Sequence, residues 1–451
     1  MRRRFLGRWP FVLPAAAEGV ASAVAFGYGP LYMRQALGEP RVAVTTLMLA
    51  LAALTWFVSA AVWGRVGDRV SRPLTLMGWT LLVCGVVQAT LAVVGNSAAF
   101  TAVVVLCSWL LAAIAPLSVG WLTLSDPEHP AEESAGFYRM RSLGWTIGSM
   151  GTSVLVGVLD LGGIITAFLI SSGMSVGVAA AVLVAAHRLE TGNVAPLNLA
   201  PGNAAPRTLL PGNRSAGTTA PGNPAPGIPA PGSPAPAVRP APAGPAGPAG
   251  PSGPTIWRLH AVGTLVGIVL LTTTGNEAFF AVVGPYLTEY LAGPPEYVGI
   301  SIGVASFLGI VIMGPVGRAT DRWGAERVLL AGCLIYAAMY ALMALWRDAL
   351  ATVVLFGLPV FPFMSLGATG TLSRRTPPGR RSEAIGVYEG TASLAAAIGS
   401  LLGGVVADVA GLGWVPVMAW ALAMGGLLVA WVRLRPGSAP ALGDVSEAAI
   451  H

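Results

Sequence analysis

The chain has 451 residues, 54% of them apolar and only 10% charged, with a mean hydropathy of +0.70. No water-soluble fold has enough interior for that much apolar surface, which excludes the three soluble domains that length alone would favour. The net charge of +6 would suit nucleic acid, but the arginines fall between apolar runs in the manner of loop residues, which argues against that class too.

All 26 basic residues are arginine. With abundant Ala, Gly and Pro, that bias points to a GC-rich bacterial genome. Apolar runs long enough to cross a bilayer occur near residues 10–31, 43–64, 73–94, 99–123, 139–159 and 162–186. Six more follow near 258–282, 297–317, 327–346, 349–372, 384–407 and 412–432. Pro116 in span 4 and Pro359 and Pro362 in span 10 predict breaks or kinks. Cys84, Cys107 and Cys333 all lie inside apolar runs without metal-ligand spacing, so they read as packing residues.

Between the two sets of spans, from about Thr191 to Pro254, run approximate PGN and PAP repeats of Pro, Gly, Ala, Asn and Ser. Such a segment buries no core and reads as a disordered or polyproline-like linker. The expected layout is therefore an N-terminal bundle over 1–190, a linker over 191–256, a C-terminal bundle over 257–435 and a tail over 436–451. With twelve spans, 23 of the 26 arginines fall on the side of the two termini and the linker; Arg34, Arg41 and Arg347 are the exceptions. This asymmetry predicts both termini in the cytoplasm. The N-terminal Arg-Arg-Arg-Phe-Leu superficially resembles an export signal, but Glu18 interrupts the would-be signal core and eleven spans follow.

The halves repeat. Gly29-Pro30-Leu31-Tyr32 closes span 1 and Gly64-Arg65-Val66-Gly67-Asp68-Arg69 follows span 2; Gly284-Pro285-Tyr286-Leu287 closes span 7 and Gly317-Arg318-Ala319-Thr320-Asp321-Arg322-Trp323-Gly324 follows span 8. Two equivalent six-helix bundles in one membrane predict a repeat transporter. The loop pattern Gly64, Asp68, Arg69, Arg72 resembles the Gly-x-x-x-Asp-Arg-x-Gly-Arg motif of the major facilitator superfamily, with Ser71 in place of its second Gly. A second copy keeps Gly317, Asp321, Arg322 and Gly324 and ends in Ala325. The resemblance covers the chain apart from the linker and implies an all-α membrane protein of two pseudo-symmetric six-helix bundles. It also implies that Asp68, Arg69 and Arg72 face the start of span 11 near Glu383, making and breaking a gate. A carboxylate there can cap the positive end of a helix or pair with Arg. Arg141 and Glu389 are further candidate gate partners.

Ionisable side chains inside spans are costly and mark function. Glu18 lies 12 residues before Pro30, roughly 18 Å along a helix, near the midplane. Glu277, beside Asn276, lies 8 residues before Pro285, roughly 12 Å, in the equivalent helix. Both glutamates are expected to line a central cavity, and one or both to take up and release a proton as it changes sides, with Asn276 available to a polar substrate group. Phe26, Tyr28, Tyr32, Phe279, Phe280, Tyr286, Phe361 and Phe363 are candidate wall residues. Small residues Gly144, Gly148 and Gly151 in span 5, and Gly399, Gly403 and Gly404 in span 11, allow close helix approach. The Gly-x-x-x-Gly-Pro signature of drug antiporters in span 5 and the buried Arg in span 4 are both missing.

The expected function is secondary active transport of a small amphipathic molecule, with proton-coupled efflux of a drug, sugar or metabolite first and proton-coupled uptake second. A sensor or scaffold without transport is a third reading. No enzyme chemistry is expected, since no nucleophile and base or metal cluster stands at usable spacing. Neither cofactor nor metal is implied. The expected partners are substrate, protons and lipid, with a monomer in the inner membrane of a bacterium.

Overall fold

The computed structural model describes residues 2–67, 69, 70, 72–125, 130–191, 260–375 and 381–434. The predicted linker and Asp68 lie outside the described residues. So does the C-terminal tail.

Among the described residues fourteen α-helices make twelve crossings: α1 (Arg2–Gln35), α2 (Val42–Gly67), α3 (Pro73–Ala89), α4 (Ser97–Leu111) with α5 (Ile114–Ser125), α6 (Pro130–Leu159) and α7 (Leu161–Thr191), then α8 (His260–Pro285), α9 (Glu296–Trp323), α10 (Ala325–Leu345), α11 (Ala349–Phe356) with α12 (Phe361–Arg375), α13 (Arg381–Val409) and α14 (Val415–Arg433). Their apolar stretches, 20 to 29 residues long, suffice for a hydrocarbon core of about 30 Å. The terminal face carries Trp9 and Arg433; the opposite one is called the far face.

Crossings 4 and 10 are each split in two, as their prolines predict. Pro116 offers no N–H to the carbonyl of Ala112, where α4 ends. Pro359 and Pro362 flank the gap between α11 and α12. Pro30, by contrast, does not close the first helix. It sits inside α1, which runs on to Gln35, and a five-residue π turn over Tyr286–Tyr290 likewise extends the helix beyond Pro285.

Packing repeats as the sequence does. Within the first half α1 lies against α6 and α3 against α7; within the second α8 lies against α13 and α10 against α14. The halves meet through the exchanged pairs α2 with α13 and α6 with α9. Glycine makes these contacts close. A β-carbon at Gly144 would collide with the Ala16 carbonyl and one at Gly148 would press on Val20, while Gly399 and Gly403 meet Thr274 and Ala278 of α8. Gly404 abuts Thr46 of α2, and Gly151 faces open space. Lipid offers no hydrophobic drive between helices, so such backbone approach supplies the dispersion contact that holds them.

Several candidate wall aromatics are packing residues. Tyr32 stacks with Phe100 and Phe168 at 5.4 and 5.6 Å, and Phe279 with Tyr286, Tyr340 and Phe356 at 5.2 to 5.6 Å. Phe361 is exposed instead of facing the bundle. The three cysteines are buried free thiols.

Candidate functional site: the seam between the halves

Glu18 does not stand open to a cavity. Because Gly19 and Gly144 bring α1 and α6 into backbone contact, its side chain is wholly buried and accepts a hydrogen bond from Arg141 Nε at 2.8 Å. The Arg141 guanidinium also lies 5.1 Å from the Trp56 ring centroid on α2, within cation–π range. Its charge reaches Glu389 of α13 as well. Thus Arg141, expected at a gate, holds Glu18 inside the first half and looks across the seam at Glu389, which is exposed.

Glu277 has different company. It is partly exposed, takes a hydrogen bond from Asn276 Nδ2 at 3.2 Å, and has no ion pair among the described residues. Asn276 Oδ1 in turn accepts from Tyr340 at 2.9 Å. The sequence placed Asn276 beside Glu277; Tyr340, two crossings and 64 residues along the chain, carried no signal.

One turn of α6 beyond Arg141, Trp145 joins the halves, its ring 6.4 Å from Phe26 and 6.3 Å from Phe280. Phe280 follows Glu277 by three residues and shares its side of α8. Phe26 and Phe280 therefore keep their expected place at the seam, with Trp145 between them.

A cluster of hydrogen bonds and an ion pair joins the halves toward the far face. There the N-termini of α2 and α9 borrow caps from the opposite half. Val42 and Ala43 donate their backbone N–H groups to the two Asp408 carboxylate oxygens, both at 2.9 Å. Gly299, in the first turn of α9, donates to Tyr28 Oη at 3.0 Å, and that hydroxyl contacts Ser153 Oγ at 2.9 Å. Only glycine fits at 299, since a β-carbon would strike Ser149 O, Ser153 Oγ and Tyr28 Oη. First-turn amides have no partner within their own helix, and a carboxylate there is further favoured by the helix dipole. Arg34 adds an ion pair to Glu289 through Nε and Nη2, and its Nη1 holds the carbonyls of Glu39 and Pro40.

Toward the terminal face Phe57 of α2 lies against Gly390 of α13. Gly64 and Gly317 have open space around them, and Arg69, Arg72, Asp321 and Arg322 are exposed. Gly324 closes α9 at φ 94°, a conformation suited to glycine. Arg374 reaches the Thr320 carbonyl at the end of α9 and Arg375 pairs with Glu326. Glu383 belongs to α13, adjacent to α2.

Residues 265–449 match the family model for the Major Facilitator Superfamily. An 82-residue stretch is 34% identical to uncharacterized MFS-type transporters from two strains of Mycobacterium tuberculosis, covering 17% of this chain and 19% of each relative. The chain thus spans about a fifth of the length of the curated relatives it matches. In fold it is similar to the nucleoside transporter NupG, with a TM-score of 0.66 at 12% identity over 95% of this chain and 98% of that one. It is also similar to a bacterial homolog of the human lysosomal transporter Spinster in an inward-facing, occupied conformation, with a TM-score of 0.62 at 11% identity over 96% and 94% of the two chains. The family model is matched over the second half of the chain, and the fold over both halves is similar to that of these solved transporters.

Proposed function

We propose that the chain is a secondary active transporter that moves a small amphipathic molecule across the cytoplasmic membrane of a bacterium by alternating access. The observation that carries this is the far-face seam, where Arg34 pairs with Glu289 and Asp408 and Tyr28 cap helices of the opposite half. Two bundles joined at one end by a few breakable bonds have a second arrangement available, joined at the other. The arginine asymmetry places the termini in the cytoplasm, so the closed face is the outer one. Glu277 is the residue we assign to proton coupling. Glu18 already has its charge balanced by Arg141, whereas Glu277 has only neutral partners. Export is the direction proposed, on the sequence's resemblance to efflux-type members.

Proteoliposomes with an entrapped pH-sensitive dye test this. Amphipathic amines, sugars and nucleosides are added singly, with the inside made acid or alkaline. Gradient-driven movement of at least one compound, with matching proton movement, is expected; accumulation on the acid side marks proton exchange for substrate, and on the alkaline side proton symport. No gradient-dependent flux for any compound defeats the transport reading. Glu277→Gln with unchanged proton dependence defeats the assignment of Glu277 alone.

A further inference from the structure

The chain is net positive, +6 overall, but the seam at membrane depth is not. Among the described residues Arg141, Glu277 and Glu389 face it, with Glu18 buried behind Arg141 in the first half. Arg139 lies two residues before Arg141, about 200° around the helix, and so points elsewhere. With Glu18 and Arg141 offsetting each other, Glu277 and Glu389 leave an excess of negative charge, among the described residues, where charge is most expensive. Arg141 is already spent on Glu18, at 2.8 Å, and what remains of its field falls on Glu389. Glu277 is left with an amide at 3.2 Å and no cation among the described residues.

Around that carboxylate stand aromatic faces. Phe280 sits three residues along α8, its ring 6.3 Å from Trp145 of the other half, and Trp145 is 6.4 Å from Phe26. Tyr336 and Tyr340 stack at 6.1 Å on the α10 side, with Tyr340 tied through Asn276 to Glu277. A partly exposed carboxylate beside the partly exposed rings of Phe280 and Trp145 is the recognition chemistry of an organic cation: opposite charge for the head, ring quadrupoles for the rest. An anion entering the same seam would meet like charge in a low dielectric.

We propose that the seam binds an organic cation with a planar or aromatic body, Glu277 supplying the counter-charge and Trp145 and Phe280 the aromatic wall. The proposal rests on the transport reading and narrows its substrate to one charge class.

Two ions of nearly equal shape and opposite sign test it. Tetraphenylphosphonium and tetraphenylborate are each titrated by equilibrium dialysis against the purified full-length protein in neutral detergent. Saturable phosphonium binding is expected, with no saturable borate binding. Glu277→Gln should weaken the phosphonium at least about tenfold and Glu277→Asp should keep most of it, since a contact worth about 1.4 kcal/mol changes affinity tenfold. Trp145→Leu should cost a few-fold. Each variant is first checked for a single monodisperse peak on size exclusion, and Glu277→Asp carries the argument if Glu277→Gln fails that check. Equal binding of both ions, preference for the borate, no saturable phosphonium binding, or unchanged affinity in Glu277→Gln each overturns the proposal. Proton-driven flux of an anionic or neutral compound in the liposome assay would leave the transport reading standing while this one falls.

Discussion

In the first half the membrane-depth carboxylate, Glu18, has no exposed surface and shares a hydrogen bond with a guanidinium that is itself stacked on Trp56. In the second half Glu277 keeps part of its surface and touches an amide. The helices carrying them occupy equivalent places in the repeat, so the difference is one of side chains on a shared frame. A compensated charge holds helices together; an uncompensated one remains available to a proton or a cation. The borrowed caps divide in the same way, a carboxylate from α13 serving α2 and a neutral phenol from α1 serving α9.

The largest effect should come from breaking the compensated site. Arg141→Leu leaves Glu18 buried without its counter-charge, a change that costs about 3–5 kcal/mol in buried pairs. Since 28% of the Arg141 side chain is exposed, the lower part of that range applies, read as a large fall in melting temperature by fluorescence-detected size exclusion. Glu18→Gln with Arg141→Leu should recover most of it. If Arg141→Leu melts like the parent protein, the pair does not hold α1 to α6. Glu277→Gln, in contrast, exchanges one hydrogen-bonding group for another and should move stability by less than about 1 kcal/mol, while removing proton dependence in liposomes.

Next comes the pair of borrowed caps. Asp408→Ala strips two amides of a charged acceptor and should shift the balance toward an open far face by about 1–2 kcal/mol. Tyr28→Phe removes a neutral acceptor and should shift it by about 1 kcal/mol or less. Spin labels at Arg41→Cys and Trp414→Cys, both exposed positions flanking the far-face ends of α2 and α13, would report a longer-distance population rising in that order. The reverse order would mean that the hydroxyl, not the carboxylate, carries closure. A methyl at Gly299, wedged between Ser149, Ser153 and Tyr28, should open the face whichever cap matters more.

The twelve crossings were legible because length and hydropathy suffice to define a membrane helix, and Pro116, Pro359 and Pro362 marked their breaks correctly. Pro30 misled: inside a membrane a helix continues through proline, because no competing water draws the chain away. The small residues of spans 5 and 11 pointed to close packing, and five of the six glycines make it within or between halves. Glu18 and Glu277 stood out by cost alone, yet their partners did not. Arg141 is 123 residues from Glu18 and Asp408 is 366 from Val42. A single sequence records that a charge is present, not which distant helix brings its answer.

The smallest effect belongs to Glu289, and it separates pairing from capping. The Arg34–Glu289 pair is partly exposed, 17% and 30% for the two side chains, and exposed pairs contribute about 0.2–1 kcal/mol, less as salt rises. Glu289→Gln should therefore open the far face only slightly in low salt and not measurably in half-molar salt. Arg34→Ala should do more, because Nη1 also holds the Glu39 and Pro40 carbonyls in the loop that delivers the α2 N-terminus to Asp408. The Asp408 contact acts over hydrogen-bond distance on unpaired amides, so its effect should survive the same salt. Were Glu289→Gln to open the face further than Asp408→Ala in the spin-label distances, long-range charge attraction and not helix capping would be what closes it.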